Sequence, residues 1–360
     1  MKKNMIALAV AGALVAPVAM AEVTVSGGLQ AELVQIGGDG GQPNGLYAAD
    51  GFEVNSENGG NYGFLKFSAS EDLGGGLKAL AMYNMNTNVG DSDRAGFSTR
   101  DAYVGLSGSL GTVLAGSLST PYKSSTVNYD PFLMTSFQAR GNYGMSGLHN
   151  GYVSNALAYA NSFAGGMVKV VAALVLDEAQ KNEADGVTKA DKTVGQHAKS
   201  FSVNIDPVKG LDIAIAYIDA TDFGNANVDV PGTTALDATA IKVGAKYSAS
   251  AFAVGGQVEM LDKGLTNSGD SGNVVYLTGT FNINEANSIS VAIGSMDANV
   301  NSTAAEIAAG TDGAAAYTAL GFQHSFSKST SMTVGYRASD DKREAGVKET
   351  AIGAGLRVGF

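Results

Sequence analysis

The feature that most limits what this chain can fold into is a two-residue alternation, repeated along most of its length in stretches of about ten residues. In the last stretch Ile352, Ala354, Leu356, Val358 and Phe360 share one parity, while Ala351, Gly353, Gly355, Arg357 and Gly359 share the other. Strand side chains point alternately to opposite faces, so such a stretch has one oily face and one small or polar face. Ile213, Ile215 and Tyr217 stand against Asp212, Ala214 and Ala216 in the same way, and Ile241, Val243, Ala245 and Tyr247 against Lys242, Gly244, Lys246 and Ser248. The pattern predicts sixteen strands, near 22–36, 61–71, 77–88, 98–108, 112–119, 151–161, 166–177, 195–206, 211–220, 237–249, 251–261, 273–283, 287–297, 314–326, 330–340 and 349–360. The connections alternate as well. Short turns at 72–76, 109–111, 206–210, 285–286 and 327–329 are interleaved with long polar stretches at 37–60, 89–97, 120–150, 178–194, 221–236, 262–272, 298–313 and 341–348.

A soluble β-sandwich also alternates, so the composition of the faces has to decide the solvent. The non-oily parity carries Gly, Ala, Ser, Thr, Asn and Gln with sparse charge, whereas acids crowd the long stretches: Asp39, Asp50, Glu53 and Glu57 in one, Asp177, Glu178, Glu183, Asp185 and Asp191 in another. Aromatics such as Tyr62, Tyr83, Tyr217, Tyr247, Phe281, Phe326, Tyr336 and Phe360 fall near strand ends, where a membrane interface would hold them. Strands in hydrocarbon must close on themselves, because an open edge leaves backbone groups unpaired. The expected fold is therefore an all-β, sixteen-stranded antiparallel transmembrane barrel with short periplasmic turns and long external loops. Sixteen strands enclose an aqueous channel rather than a packed interior.

The N-terminus fits this reading. Lys2 and Lys3 precede an apolar run from Met5 to Val18, and Ala19-Met20-Ala21 is a small-residue cleavage site, so 1–21 reads as a secretory signal peptide and 22–360 as the barrel. The net charge is −11, more negative still without Lys2 and Lys3, which argues against nucleic acid as a partner. The chain has no cysteine, and His149, His197 and His324 are widely separated, so no metal and no cofactor are expected.

The stretch from Thr120 to Asn150 is long for a compact protein and holds Tyr122, Asp130, Phe132, Phe137 and Arg140, which suggests packing into the lumen. Several segments carry a family resemblance: Glu22-Val23-Thr24-Val25-Ser26-Gly27, Ser70-Glu71-Asp72-Leu73-Gly74-Gly75-Gly76-Leu77-Lys78-Ala79, Arg100-Asp101-Ala102-Tyr103-Val104-Gly105-Leu106, Gly111-Thr112-Val113, Asn155-Ala156-Leu157-Ala158-Tyr159 and Gly355-Leu356-Arg357-Val358-Gly359-Phe360. In these the chain resembles the trimeric, sixteen-stranded general porins of Gram-negative bacteria. The resemblance implies a homotrimer, passive passage of small hydrophilic solutes and ions, and a third loop that narrows the pore against a basic wall. It also implies that the terminal Phe360 is the assembly signal read by the outer-membrane insertion machinery. Where family members often carry arginine this chain has Phe64, Leu114, Ser117 and Val153, while Arg100 is retained and Lys66 shares the parity of Phe64.

The expected constriction residues are Lys66, Arg100, Tyr122, Lys123, Asp130 and Arg140. The expected lumen wall, chosen by parity, comprises Glu32, Lys169, Lys242, Lys246, Gln257, Glu259, Arg337 and Arg357, read as groups solvated by channel water. With a weakened basic ladder and acidic outer loops, the expected pore is weakly selective, neutral to mildly cation-preferring. Those loops are also expected to meet lipopolysaccharide through divalent ions. Arg100 also has a plainer reading, since Val104 and Leu106 share its parity and the three would sit against the folded loop. The alternatives are a solute-specific channel and a non-conducting barrel acting as adhesin or anchor. An outer-membrane hydrolase is disfavoured because no Ser-centred motif accompanies His149 or His324.

Overall fold

Seventeen strands are seen in the computed structural model, which describes residues 21–38, 44–49, 63–87, 98–149, 152–176, 198–220, 239–262, 271–301, 304–342 and 347–360. The expected signal peptide lies outside the described residues apart from Ala21, and so do the loop acids named above together with Tyr62 and His197. In chain order the strands are β1 (Glu22–Gly38), β2 (Gly45–Ala49), β3 (Phe64–Gly74), β4 (Leu77–Asn86), β5 (Ser98–Gly108), β6 (Gly111–Leu118), β7 (Val153–Phe163), β8 (Val168–Val175) and β9 (Lys199–Val208). They continue with β10 (Leu211–Asp219), β11 (Thr239–Ser248), β12 (Phe252–Leu261), β13 (Gly272–Asn282), β14 (Asn287–Met296), β15 (Ala315–Ser325), β16 (Thr330–Asp341) and β17 (Val347–Gly359).

Sixteen of these form a closed antiparallel barrel in which each strand pairs with its sequence neighbours. β2 is the exception: a short strand inside the expected loop 37–60, it pairs only with the outer half of β1, from Glu32↔Ala49 to Ile36↔Gly45. β1 closes the ring, pairing with β17 from Gly28↔Gly359 to Gly38↔Glu349 and with β3 from Glu22↔Ser70 to Gly28↔Phe64. Reciprocal 2.9 Å backbone bonds between Gly27 and Phe360 finish the seam. Seven tight connections gather at the end where β1 begins and β17 stops. In the one joining β3 to β4, Gly74, Gly75 and Gly76 all take positive φ, from +62° to +84°, a conformation in which any Cβ is strained.

The faces divide as the alternation requires. Val104 is 63 % exposed, Ile352 56 % and Leu320 52 %, and the same outward parity on the other strands is exposed and apolar. Only hydrocarbon or a neighbouring apolar surface satisfies such a belt. Tyr247, Phe252, Phe281, Phe326 and Phe360 stay exposed on this face close to the tight turns, forming an aromatic band at that rim. Among the described residues no helix is long and apolar enough to cross a membrane, so the strands do the spanning.

Parity fails at one informative place. Tyr83 of β4 pairs with Ala102 of β5, but Met85 pairs with Thr99, so β5 has one residue more than β4 over this interval. The bulge shifts the phase, and Arg100 turns inward although Val104 and Leu106, at even positions like it, point out. Arg100 is 8 % exposed and bonds groups inside the barrel.

Candidate functional site

The segment between β6 and β7 lies against the inner wall. It opens with a short helix α1 (Pro121–Thr126): Thr120 accepts the Lys123 N–H at 3.1 Å as N-cap, and Pro121 starts the helix where no N–H is needed. From there the chain runs along the inward faces of β9–β17 and β1, and its polar groups find wall partners one after another. Tyr122 N–H donates to Ser200 Oγ at 2.9 Å, Thr126 Oγ1 to Gln257 Oε1 at 2.5 Å, Tyr129 Oη to Asp212 Oδ2 at 2.9 Å and Tyr143 Oη to Asp341 Oδ2 at 3.0 Å. Tyr317 Oη donates to the Phe137 carbonyl at 2.5 Å.

Two of the anchors are built alike. On β1, Gln30 Nε2 donates to Glu32 Oε1 at 3.1 Å, and Glu32 Oε2 accepts both the N–H (2.9 Å) and the hydroxyl of Ser136. On β12, Gln257 Nε2 donates to Glu259 Oε1 at 3.0 Å, and Glu259 accepts the Ser146 N–H at 3.0 Å and its hydroxyl at 2.5 Å. Glu259 also accepts the Tyr122 hydroxyl at 2.8 Å, tying both ends of the segment to one carboxylate. A Gln-x-Glu pair on the inward parity of a strand thus grips a loop serine twice. Hydrogen bonds to a buried carboxylate are among the stronger ones available.

Apolar seats complete the attachment. A Cβ on Gly335 would lie 2.7 Å from the Phe137 ring, one on Gly321 2.6 Å from the Phe132 ring, and one on Gly244 3.0 Å from the Tyr129 ring. These wall glycines all point inward, and the missing side chains are the room that the loop aromatics fill.

Several expected site residues therefore stand elsewhere than channel water. Glu32, Lys242, Gln257 and Glu259 are buried and hold the loop or each other, and Arg337 is buried on the wall itself. Arg337 pairs with Glu349, and Lys242 Nζ donates to the Tyr122 carbonyl at 2.5 Å and sits 4.1 Å above its ring. Arg357 donates to Gln30 Oε1 (2.7 Å) and to the carbonyls of Leu133 (3.2 Å) and Met134 (3.0 Å), and Lys246 to the Asn128 carbonyl at 2.9 Å. Tyr122 and Asp130 are buried within the loop's own attachment. Asp130 accepts the Phe132 and Ala139 N–H groups at 2.9 and 2.7 Å and the Tyr276 hydroxyl at 3.0 Å. Lys169 is exposed near a tight turn, 2.7 Å from Asp206. Lys66 points inward on β3 and is partly exposed. Phe360 packs its ring against the position a Gly27 side chain would take.

A second group assembles where the loop leaves the barrel wall. Arg100 Nε donates to Tyr152 Oη at 2.9 Å, and Lys123 Nζ lies 4.0 Å above the Tyr152 ring, within cation–π range. Arg140 Nη1 reaches the His149 carbonyl at 3.3 Å. Burial first, then repulsion from Arg140 and Arg100, holds the Lys123 ammonium well below its ordinary pKa.

His149, wholly buried, links the loop to the wall. Its Nε2 is 2.9 Å from Lys242 Nζ and its Nδ1 3.3 Å from the Ser146 carbonyl, so the neutral ring with the proton on Nδ1 satisfies both. Glu259 lies 3.5 Å away. Burial and the Lys242 charge push its pKa well below the ordinary 6.5. The released loop binds a proton near 6.5 and the seated loop does not, so seating weakens as pH falls below that value. Thermal unfolding of detergent-folded protein at pH 7.5 and pH 5 should show a loss on acidification that is smaller in a His149→Gln variant, and equal losses in both proteins would refute it.

The sequence profile of the family described as Gram-negative porin matches residues 7–344. The chain belongs to the Gram-negative porins. This porin is 34 % identical over 132 residues to the major outer membrane protein P.IB of Neisseria gonorrhoeae, covering 36 % of this chain and 35 % of that protein. It is 33 % identical over 69 residues to the major outer membrane protein P.IA of Neisseria meningitidis serogroup C, covering 19 % of this chain and 18 % of that one. The chain thus aligns with about a third or less of the length of these curated relatives. The fold match is broader. An anion-selective porin from Comamonas acidovorans superposes with a TM-score of 0.69 at 19 % identity, over 95 % of this chain and 100 % of that one. The outer membrane channel DcaP of Acinetobacter baumannii gives 0.67 at 13 % identity, over 94 % of this chain and 97 % of that one.

Sequence reasoning missed Gln30, Met134, Ser136, Ser146 and Tyr152, and weighed His149 only as a metal-ligand or catalytic candidate. The repeated inward Gln-x-Glu was the available signal for the serine anchors. For Met134 and Tyr152 the local sequence held none.

Proposed function

We propose that this porin forms a water-filled outer-membrane channel for passive diffusion of small hydrophilic solutes and ions, narrowed by the segment 120–150. The observation that carries the reading is the one-sidedness of the loop. It covers the inward faces of β9–β17 and β1, while Lys66, Asn84, Tyr103 and Leu114 on β3–β6 keep part of their surface open. The passage runs between the two.

The positions of the charges favour anions over the mild cation preference expected from composition. Asp130, the loop's one acid, is 3 % exposed and saturated by hydrogen bonds, so it offers little to a passing ion. Arg100 and Arg140 converge beside Lys123, whose own charge they disfavour, and the acids facing the three are Asp101 and the buried Asp130. In a narrow low-dielectric passage one sign of charge sets the preferred ion. Planar-bilayer recording in a potassium chloride gradient should give a reversal potential on the anion side, and Arg100→Ala should move it toward cations. A cation-side potential in the parent protein rejects this. A non-conducting anchor is distinguished in the same recording by its silence. The protein assembles as a homotrimer in this reading, through the apolar outward face, with insertion machinery acting on the strand that ends in Phe360 and lipopolysaccharide around the outer rim. Cross-linking of detergent-extracted protein should give a three-subunit species.

A further inference from the structure

Among the described residues three apolar clusters line the inside of the barrel, and two are closed by rings of the segment 120–150. Phe132 and Phe137 complete the one that contains Tyr276 and Tyr317, and Tyr122 completes the one that contains Leu261 and Val274. The third is built on Val153, Ala156 and Ala158, with Tyr103, Leu114 and Ala173 packed over them, and it takes no residue of that segment. Tyr103, Leu114 and Ala173 are partly exposed. Strand register sets Met82 beside Tyr103, and Leu80 across Gly105 from Leu114. Leu114 lies over Gly105, where a Cβ would come within 2.5 Å of its methyl group. From β4 to β8 neither of these two inward rows carries a charge. The Tyr103 hydroxyl makes no hydrogen bond among the described residues. Asp101, the acid whose charge reaches it, accepts the Ser119 N–H at 3.3 Å and Asn84 Nδ2 at 3.4 Å. The open wall of the passage therefore turns hydrocarbon and one free hydroxyl toward water, and apolar surface left wet gains from being covered.

We propose that this uncovered cluster is a subsite of the channel for the ring of an aromatic carboxylate. The barrel itself displays what closes such a cluster: on the opposite wall it is an aromatic ring, with polar groups bonded alongside. A passing solute supplies here the ring that the loop does not send. The Tyr103 hydroxyl stands at the edge of the patch as a donor to the carboxylate, and such charge-assisted bonds are the stronger kind. The anion preference argued above brings the charged end into the passage. The inference rests on the channel reading and adds a substrate class to it.

Planar-bilayer recording tests both, and tells them apart. In potassium chloride at constant ionic strength, benzoate should lower the current saturably. Acetate at the same concentrations, a carboxylate without a ring, should not. Leu114→Ser, which makes the patch polar and touches none of the loop's anchors, should weaken the benzoate block by about fivefold or more. Tyr103→Phe keeps the ring surface and removes only the donor, so it should weaken the block by less. Should Leu114→Ser fail to insert, Met82→Ser takes apolar surface from the other side of Tyr103 and should act in the same direction. Equal effects of benzoate and acetate, or a benzoate block indifferent to these serine substitutions, overturn the subsite and leave the channel standing. A parent protein that passes no chloride sinks the channel reading, and the subsite with it.

Discussion

Replacing Glu259 by alanine should unseat the loop and cost about 3 kcal/mol or more, because three buried donors lose their acceptor at about 1–3 kcal/mol each. The substitution removes the acceptor of the Tyr122 hydroxyl and of both Ser146 bonds, and it leaves Lys242 buried beside His149 with its nearest carboxylate gone. Both ends of the loop meet at this one side chain, so no other single truncation in the lumen should have so large an effect. Detergent-folded Glu259→Ala protein should unfold at a clearly lower temperature, with noisier and more variable single-channel currents. Glu259→Gln, which keeps the shape and part of the bonding, should lie between. A parent-like melting temperature for the alanine variant would show that the barrel does not depend on this anchor.

The second large effect concerns a wall glycine. Gly335 lies under the Phe137 ring, and a valine there places atoms where the ring now is, so the loop must lift. Overpacking of this kind costs about 1–3 kcal/mol. Because the loop is backed by the β9–β17 wall and faces the open side, lifting it narrows the passage, and single-channel conductance should fall. The double variant Gly335→Val with Phe137→Ala should recover most of the lost conductance, since the ring that was pushed is gone. Equal conductance in parent and single variant would mean that this contact does not position the loop.

The barrel was legible because its determinants are local. Parity places Val104, Ile352 and Leu320 outside and Glu259 and Lys242 inside without knowledge of any distant residue, and strand boundaries fell within a few residues of those expected from alternation. The turn at Gly74–Gly76 announced itself by residue type. Inward parity, however, says only that a side chain faces the interior. Whether it meets water or another segment depends on what crosses that interior, and here the loop does. Glu32 and Gln257 read as solvated wall groups and are buried anchors for that reason.

The chain by itself determined that there is a barrel, how many strands it has and which face is oily, because a period of two and the lengths of the connections are properties of neighbouring residues. Only the tertiary structure decided that a bulge turns Arg100 inward, that the loop binds one wall and leaves the other open, and that Arg100, Lys123, Met134, Arg140 and Tyr152 meet at one point. Those contacts join residues as many as 224 positions apart. Their geometry comes from the closure of the sheet and the fit of rings over glycines, and no window of sequence contains either.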